Sequence, residues 1–558
     1  MKTVKTIFMA ATALMLAACA DTDIPAFEVE KPAGMHLTDS LNAYGVLKSY
    51  VDRAKYPVFK MGGATSAGEF NKKGVRYVLD KENFEELVTG NAFKYSSVVK
   101  NDGSMDFSTI TDFLDNAAEA GLSVYGHTLC WHSQQNMVYL KSIITDPNAA
   151  NYLLHATTSE PKANPWDWEL YYDLKTPLVK GTEYTIKMRA KASGDCEMAF
   201  WPGDGTNTQY LPSLKAGKEW AETSLTFTAN IPITRLRFCF GKFGGDLYID
   251  DVSLTAKGTT VNLVANGGFD EEDISSWTKA SWLNFVYKRE KDVDQAGGGS
   301  FTEQTVKDTL TYAMGNWIKS MMEACNGRVK AWDVVNEPMS DGKPSELKTA
   351  GRDGDPKKNF YWQDYLGKDY ARVVIKLARQ YGGDDLKLFI NDYNLEAAYN
   401  RNAKCQGLID MVKYWESDGV TKIDGIGSQM HVTYSMNPET QKRNEEAYVN
   451  HLKLLAATGK LIRLSELDMG LADAKGNTVH TADVTAEQHR LMAGYYKFIV
   501  EKYLEIIPPA QQYGITNWGV TDSPAGSFWR TDEPIGLWDV NYNRKPAYAG
   551  FADGLAGK

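Results

Sequence analysis

Trp332-Asp333-Val334-Val335-Asn336-Glu337-Pro338 decides how this chain is read. It sits inside residues 328–341, where apolar residues run into the stretch and a polar Asn-Glu pair ends it. Pro338 then stops the strand, because proline lacks an N–H and restricts the residue before it. The pattern delivers a carboxylate at the C-terminal end of a buried strand, which is where barrel enzymes place their chemistry. A strand that merely ends in a solvated Glu would look the same in isolation, so the neighbouring segments have to decide.

Upstream, residues 37–140 alternate helix-like and strand-like segments. Residues 47–54 read as a helix, 56–63 as a strand ending in glycines, and 84–91 as a run into a second strand end. Residues 110–121 form an amphipathic helix with a Gly stop, followed by a third strand over 122–128. Downstream, a long helix is predicted over 305–325, and the stretch quoted above is strand four, over 329–337. A helix over 370–381 follows, with further strands over 387–393, 423–432, 461–468 and 513–520. Eight strands with intervening helices predict an α/β chain folded as a (β/α)8 barrel.

Between the third and fourth strands the helical period disappears. From about 144 to 296 the chain shows strand-like runs with turn punctuation, over 166–172, 184–190, 222–228, 236–240 and 247–254. That predicts an all-β sandwich inserted in the exposed loop after strand three, where barrels tolerate insertion. Residues 261–270 and Trp277 look like the opening of another such module. They are either a truncated second copy or the completion of the first sandwich. The predicted boundaries are 37–143 for the first part of the barrel, 144–296 for the insert and 297–558 for the second part.

Polar residues gather at the predicted strand ends: Asn91 and Lys94; His127, Trp131 and His132; Asn336 and Glu337; Asn391 and Asp392; Gln429 and His431; Glu466 and Asp468; Trp518 and Asp522. Seven strand ends converging on one mouth are hard to explain as surface decoration. No metal-ligand spacing, phosphate-cradling Gly loop or nucleophile elbow competes with them. Glu337 and Glu466 stand at the ends of strands four and seven, across the barrel from each other. Cleavage of a glycosidic bond needs such a pair: one carboxylic acid protonates the leaving oxygen and one carboxylate attacks or activates water. The acid is expected to have a raised pKa, through burial or its like-charged neighbour.

Gly126-His-Thr-Leu-Cys-Trp-His-Ser-Gln134, Trp332–Pro338, Ile390-Asn-Asp-Tyr-Asn394, Gly425-Ile-Gly-Ser-Gln-Met-His431, Leu464-Ser-Glu-Leu-Asp468 and Thr516-Asn-Trp-Gly-Val-Thr-Asp522 resemble, in order, the motifs of the family 10 glycoside hydrolases, mostly endo-β-1,4-xylanases. The resemblance covers residues 37–551 except the insert. It implies endo-hydrolysis of xylan and xylo-oligosaccharides by retaining double displacement, with Glu337 as acid/base and Glu466 as nucleophile. Asn336 would hold the 2-hydroxyl of the sugar being cleaved, and His431, oriented by Asp468, would hydrogen-bond Glu466 and keep it ionised. Asn91 and Lys94 would grip the sugar two places from the cut on the non-reducing side. His127, Trp131, Gln134 and Gln429 would surround the sugar at the cut, and Trp518, Trp529 and Arg530 would pack over ring faces. No cofactor is implied. Where family members commonly carry Glu, this chain has Gly90, so one hydrogen bond to the distal sugar should be missing. The insert resembles β-sandwich carbohydrate-binding modules, with Trp166, Trp168 and Trp201 as candidate sugar platforms and Asp250 and Asp251 as a candidate structural calcium pair.

Composition is that of a soluble globular protein. The chain has 558 residues, long enough for several domains, with 43% hydrophobic and 24% charged residues. A net charge of −10 without a long basic run argues against nucleic acid as partner. Fourteen Trp and 30 Tyr supply flat faces suited to sugar rings. Lys2, Lys5 and the apolar run 7–18 form a signal peptide, and Leu16-Ala17-Ala18-Cys19 resembles the bacterial lipoprotein box. That implies an exported monomer whose Cys19 carries a lipid anchor, with residues 19–36 as a tether to the outer membrane or cell surface. The other five cysteines show no metal spacing; Cys196 and Cys239 lie in the insert and either pair or remain buried thiols. The rivals are a barrel glycosidase acting on cellulose or mannan and a non-catalytic glycan-binding protein. Two opposed carboxylates argue against the second.

Overall fold

The computed structural model describes residues 33–146, 150–259, 262–296 and 299–558. The expected signal peptide, Cys19 and most of the expected tether lie outside the described residues. The chain divides into two compact units, 1–45 and 46–558. In the first, a helix over Ala33–Asn42 begins inside the stretch expected to be tether.

The second unit contains eight parallel strands: β1 (Lys60–Thr65), β2 (Glu86–Thr89), β3 (Ser123–Cys130), β4 (Val329–Asn336), β5 (Lys387–Asp392), β6 (Gly425–Ser428), β7 (Leu461–Ala472) and β8 (Gln512–Asn517). They pair in chain order from β1 to β7, and β7 pairs with β8. Lys60 opposite Gly514 joins β8 to β1, so the sheet closes into a (β/α)8 barrel. The quoted stretch forms β4 because Val329, Ala331, Trp332, Val334 and Val335 are all buried and largely β-branched. Neighbouring β3 approaches closely at Gly126, where an added Cβ would lie 2.0 Å from Cε3 of Trp332. The long helix runs over Glu303–Cys325, starts at a Thr302 cap and buries Leu310, Met314, Trp317 and Met321.

Two local expectations fail. Residues 47–54 make only a 3-10 turn over Leu47–Tyr50, since the Asp52 carboxylate accepts from the Ala54 and Lys55 N–H groups and turns the chain ahead of Pro57. The strand expected over 423–432 is broken: β6 stops at Ser428, Met430 takes a left-handed φ of 61°, and a separate strand His431–Ser435 pairs with the far end of β7.

The insert is one sandwich of two five-stranded sheets. The first runs Ala221–Thr228, Glu183–Ala192, Gly245–Ala256, Ala150–Thr158, Val286–Ala296. The second runs Trp277–Thr278, Glu169–Leu178, Ile233–Cys239, Cys196–Phe200, Ser213–Ala216. The segment that resembled a second copy supplies an edge strand through Trp277, opposite Tyr172. Phe269 and Trp277 join Tyr172, Ile186, Phe200 and Phe238 in the same core. Trp168 is 4% exposed and is core as well, so it is no sugar platform. At the base of the insert, Thr145–Asp146 and Gly299–Ser300 form a two-stranded antiparallel ribbon. Cys196 and Cys239 are separate buried thiols.

The expected calcium pair does not form a cage. Asp250 accepts from Asn151 at 3.0 Å, the Arg189 guanidinium lies 3.5 Å from it, and Asp251 is exposed. Calcium wants six to eight oxygens. Among the described residues no group of three or more Asp, Glu, His or Cys side chains could hold a metal.

Candidate active site

Strand ends place the chemistry. Glu337 follows β4 with φ at 53°, a left-handed conformation that costs a non-glycine residue about 1–3 kcal/mol and turns its side chain out of the strand alternation. Its N–H donates to the Asn391 carbonyl at 2.7 Å, which ties this turn to the end of β5. Glu466 is carried within β7, and its N–H donates to the Gln429 carbonyl at 3.0 Å. The break after β6 has a use here: Gln429 before the kink turns to Glu337, and His431 after it turns to Glu466.

A cavity of about 630 Å³ opens at this mouth. Glu337, Glu466, Asn336, Gln429 and His431 line it, as do Asn91, Lys94, His127, Trp131, Gln134, Trp518 and Trp529. The two carboxylates have different surroundings. Glu337 Oε1 accepts from Gln429 Nε2 at 3.0 Å, while its Oε2 lies 3.6 Å from Lys348 Nζ and 4.0 Å from His132 Nε2. Glu466 Oε1 accepts from Asn391 Nδ2 at 2.9 Å, and its Oε2 is 3.3 Å from His431 Nε2. Asn391 also donates to Asn336 Oδ1 at 2.8 Å, which fixes that amide and turns its NH2 toward the cleft side, 3.4 Å from Glu337 Oε1.

Burial disfavours charge on Glu466, but the His431 hydrogen bond and the charges of His127 and His431 outweigh it and hold the carboxyl below its ordinary range. Burial works against His431 too, yet Asp468 and Glu466 raise its imidazole to about 10. Asp468 Oδ2 lies 3.0 Å from His431 Nδ1, near but poorly aligned for a hydrogen bond. Glu466 is therefore ionised beside an imidazolium. Glu337 departs from the expectation of a raised pKa. Burial pushes it up, but Lys348 first, then His132, Gln429 and Trp131, bring it down to about 2. The physical reason is a cation that the sequence did not place at this mouth.

His127 is 3% exposed, with Nδ1 2.8 Å from Asp333 Oδ2, which leaves Nε2 for a ligand. Lys94 sits over the Trp131 ring at 4.6 Å and reaches Asn91 Oδ1 at 3.3 Å. Trp529 is 42% exposed and donates from Nε1 to Asp468 at 2.8 Å. Arg530, expected over a ring face, is not among the residues that line the cavity. Its guanidinium is taken up by Asp468 at 2.7 Å, the Val432 carbonyl, Thr433 and Glu533, so it braces the His431 strand instead. Asp522 is paired with buried Lys545, away from the cavity. Sequence reasoning missed Lys348, Tyr393 and Asn394, which also line the cavity. Tyr393 and Asn394 stood inside a quoted motif; Lys348 lies in the aperiodic loop after β4 and carried no signal.

A sequence model of glycosyl hydrolase family 10 matches residues 50–158 and 294–554, the first segment running through the sandwich strand Ala150–Thr158. The chain belongs to glycosyl hydrolase family 10. Residues 159–293 fall outside the family 10 match. This family 10 chain is similar to endo-beta-1,4-xylanase Xyn10C of Cellvibrio japonicus, 33% identical over 247 residues that make up 41% of this chain and 37% of that protein. It is also similar to endo-1,4-beta-xylanase A of Halalkalibacterium halodurans, 31% identical over 256 residues, 43% of this chain and 57% of that protein. The aligned part thus spans less than two thirds of the length of either relative. The crystal structure of xylanase B from Clostridium stercorarium F9 superposes with a TM-score of 0.54 at 18% identity, over 91% of this chain and 100% of that one, and shares the barrel fold.

Proposed function

We propose that this family 10 glycoside hydrolase cleaves internal β-1,4 linkages of xylan with retention, using Glu466 as nucleophile and Glu337 as acid/base. The observation that carries the reading is the unequal setting of two carboxylates on one cavity. Glu466 is fixed by the His431 imidazolium at one oxygen and the Asn391 amide at the other, as suits an ionised nucleophile, while Glu337 projects from the turn after β4 with the Gln429 amide at Oε1 and the Lys348 ammonium 3.6 Å from Oε2. In the first step Glu466 bonds to the anomeric carbon as the glycosidic bond breaks, and Glu337 gives its proton to the departing oxygen. In the second step Glu337 takes a proton from water, whose oxygen bonds to the anomeric carbon as Glu466 leaves. Asn336, held by Asn391, is placed to donate to the 2-hydroxyl. Trp518 and Trp529 close over the cavity and favour a pentose over a hydroxymethyl-bearing sugar.

The test is a pair of variants on two substrate classes. Glu466→Ala should abolish turnover of xylo-oligosaccharides. Glu337→Ala should lose activity on xylan and retain it on aryl xylobiosides with good leaving groups, which need no protonation. Equal losses on both classes would remove the acid role from Glu337. Carboxymethyl cellulose turned over as fast as xylan would move the substrate to glucans, and an inverted anomer in the first product would overturn the two-step scheme.

The insert is read as a polymer-binding module, supported by exposed Trp166, whose ring lies 5.9 Å from that of Trp201, with Tyr210 beside it. Export and lipid attachment at Cys19 complete the proposal. Metabolic labelling with a fatty acid should mark the wild type and not Cys19→Ala; equal labelling would place the anchor elsewhere.

A further inference from the structure

Lys348 lies in the loop after β4 and is 3% exposed. Its N–H donates to the Pro338 carbonyl at 2.8 Å and its carbonyl accepts from Gln363 Nε2 at 2.6 Å, so the residue is fastened next to the turn that carries Glu337. The ammonium stops 3.6 Å from Glu337 Oε2, donates to Tyr393 Oη at 3.1 Å and lies over that ring at 4.6 Å. A lysine so buried needs a charged partner, because burial disfavours its cation. Lys404, the nearby second cation, is 2.8 Å from Asp341 and 3.0 Å from Asp392. Those two carboxylates take their close ion pairs from Lys404; Lys348 acts on them at longer range, and Glu337 is the carboxylate within ion-pair distance of it.

We propose that Lys348 is a positioning residue for the proton transfers: its ammonium sets the protonation state of Glu337 and stabilises the carboxylate left there when the proton departs. This rests on Glu337 being the acid/base. Other groups face Glu337 from every side. His132, after β3, is pulled to about 4 by burial and by Lys348, so the charge by which it also lowers Glu337 is lost above that range. Gln429, after β6, and Trp131 are uncharged. Glu466 on β7 and Asp392 on β5, the latter pushed up by its burial, act in the opposite sense when ionised. Lys94, after β2, has its ammonium disfavoured by its own burial. Lys348 is therefore the cation that decides. When Glu337 passes its proton to the glycosidic oxygen, the new carboxylate forms beside a charge already in place. When it takes a proton from water in the second step, it starts ionised. The same charge opposes holding the proton needed for the first step, so it lowers the pH at which cleavage of unactivated substrates falls off.

The experiment is the pH profile of kcat/KM on xylotetraose for wild type, Lys348→Met and Lys348→Arg. Methionine keeps the length of the stem without the charge. The alkaline limb should move to higher pH by roughly one to three units in Lys348→Met, as expected for loss of an opposite charge at this range, and stay near wild type in Lys348→Arg. An unmoved limb in folded Lys348→Met overturns the proposal, as does an Arg variant shifted as far as Met. Should the Met variant not fold, a carboxyl-carbon NMR titration of Glu337 in the wild type decides: a midpoint below the ordinary glutamate range supports the proposal, and one at or above it overturns it. Failure of the acid/base reading itself would show separately, as Glu337→Ala losing activity equally on activated and unactivated leaving groups.

Discussion

At the level of single residues, His431 links catalysis to stability. Its imidazole is raised to about 10 by Asp468 and Glu466. The folded value lies above the ordinary 6.5, so the cluster contributes fully below about pH 6.5 and fades as the pH rises through about 10. His431→Gln should cost about 3–5 kcal/mol at pH 6, since it leaves buried Glu466 without the imidazolium beside it and leaves Asp468 with Arg530 as its one close cation. The gap in melting temperature from wild type should narrow between pH 8 and about 10.5; a constant gap would mean the imidazole is neutral throughout. Gly90 offers the opposite case. An added Cβ would meet no atom within 4 Å, and the position lines the cavity beside Asn91. Gly90→Glu should lower KM for linear xylotriose about tenfold, the worth of one charged hydrogen bond; an unchanged KM would mean the distal sugar lies out of reach. Most of these residues were legible, because Asn336, Glu337 and His431 sit on or next to a strand end and Glu466 and Asp468 stand as acidic residues inside the buried run of β7. Lys348 was not. A lysine in a loop without period reads as solvated, and only the folded return of that loop onto Pro338 shows that it is buried.

At the level of elements, periodicity and strand-ending signals located all eight barrel strands, since each is a short buried run closed by polar residues. What they missed depends on single backbone conformations. The left-handed Met430 splits one expected strand into two, and no residue type there demands it, unlike a glycine. The shortened turn at Leu47–Tyr50 comes from a side-chain bond of Asp52 that competes with helix. The contact of β3 with β4 was equally invisible. Gly126→Ala should cost about 1–3 kcal/mol by driving a methyl into the Trp332 indole, read as a lower thermal transition with reduced activity. An unchanged transition would mean that the indole moves aside freely. Since β3 carries His127 and β4 carries Glu337, the same strain should appear in kcat.

For the whole molecule, the sandwich is a complete structure with its own core, set into the barrel at one ribbon. Joining Asp146 to Gly299 through a short Gly-Ser linker should leave a barrel that cleaves xylotetraose at the wild-type rate and binds insoluble xylan more weakly. Equal retention on the polymer would make the insert a spacer, and loss of xylotetraose cleavage would make it part of the catalytic fold. The order of the chain also matters during synthesis. β1 to β3 leave the ribosome first, then the entire sandwich, and only then β4 to β8. Lys60 meets its neighbour Gly514 when almost the whole protein has been made. At roughly 5–20 residues per second, the open edges of the first three strands wait for tens of seconds. The nascent chain thus carries a finished module on an unfinished barrel, and the interval in which those edges can pair wrongly is set by translation speed.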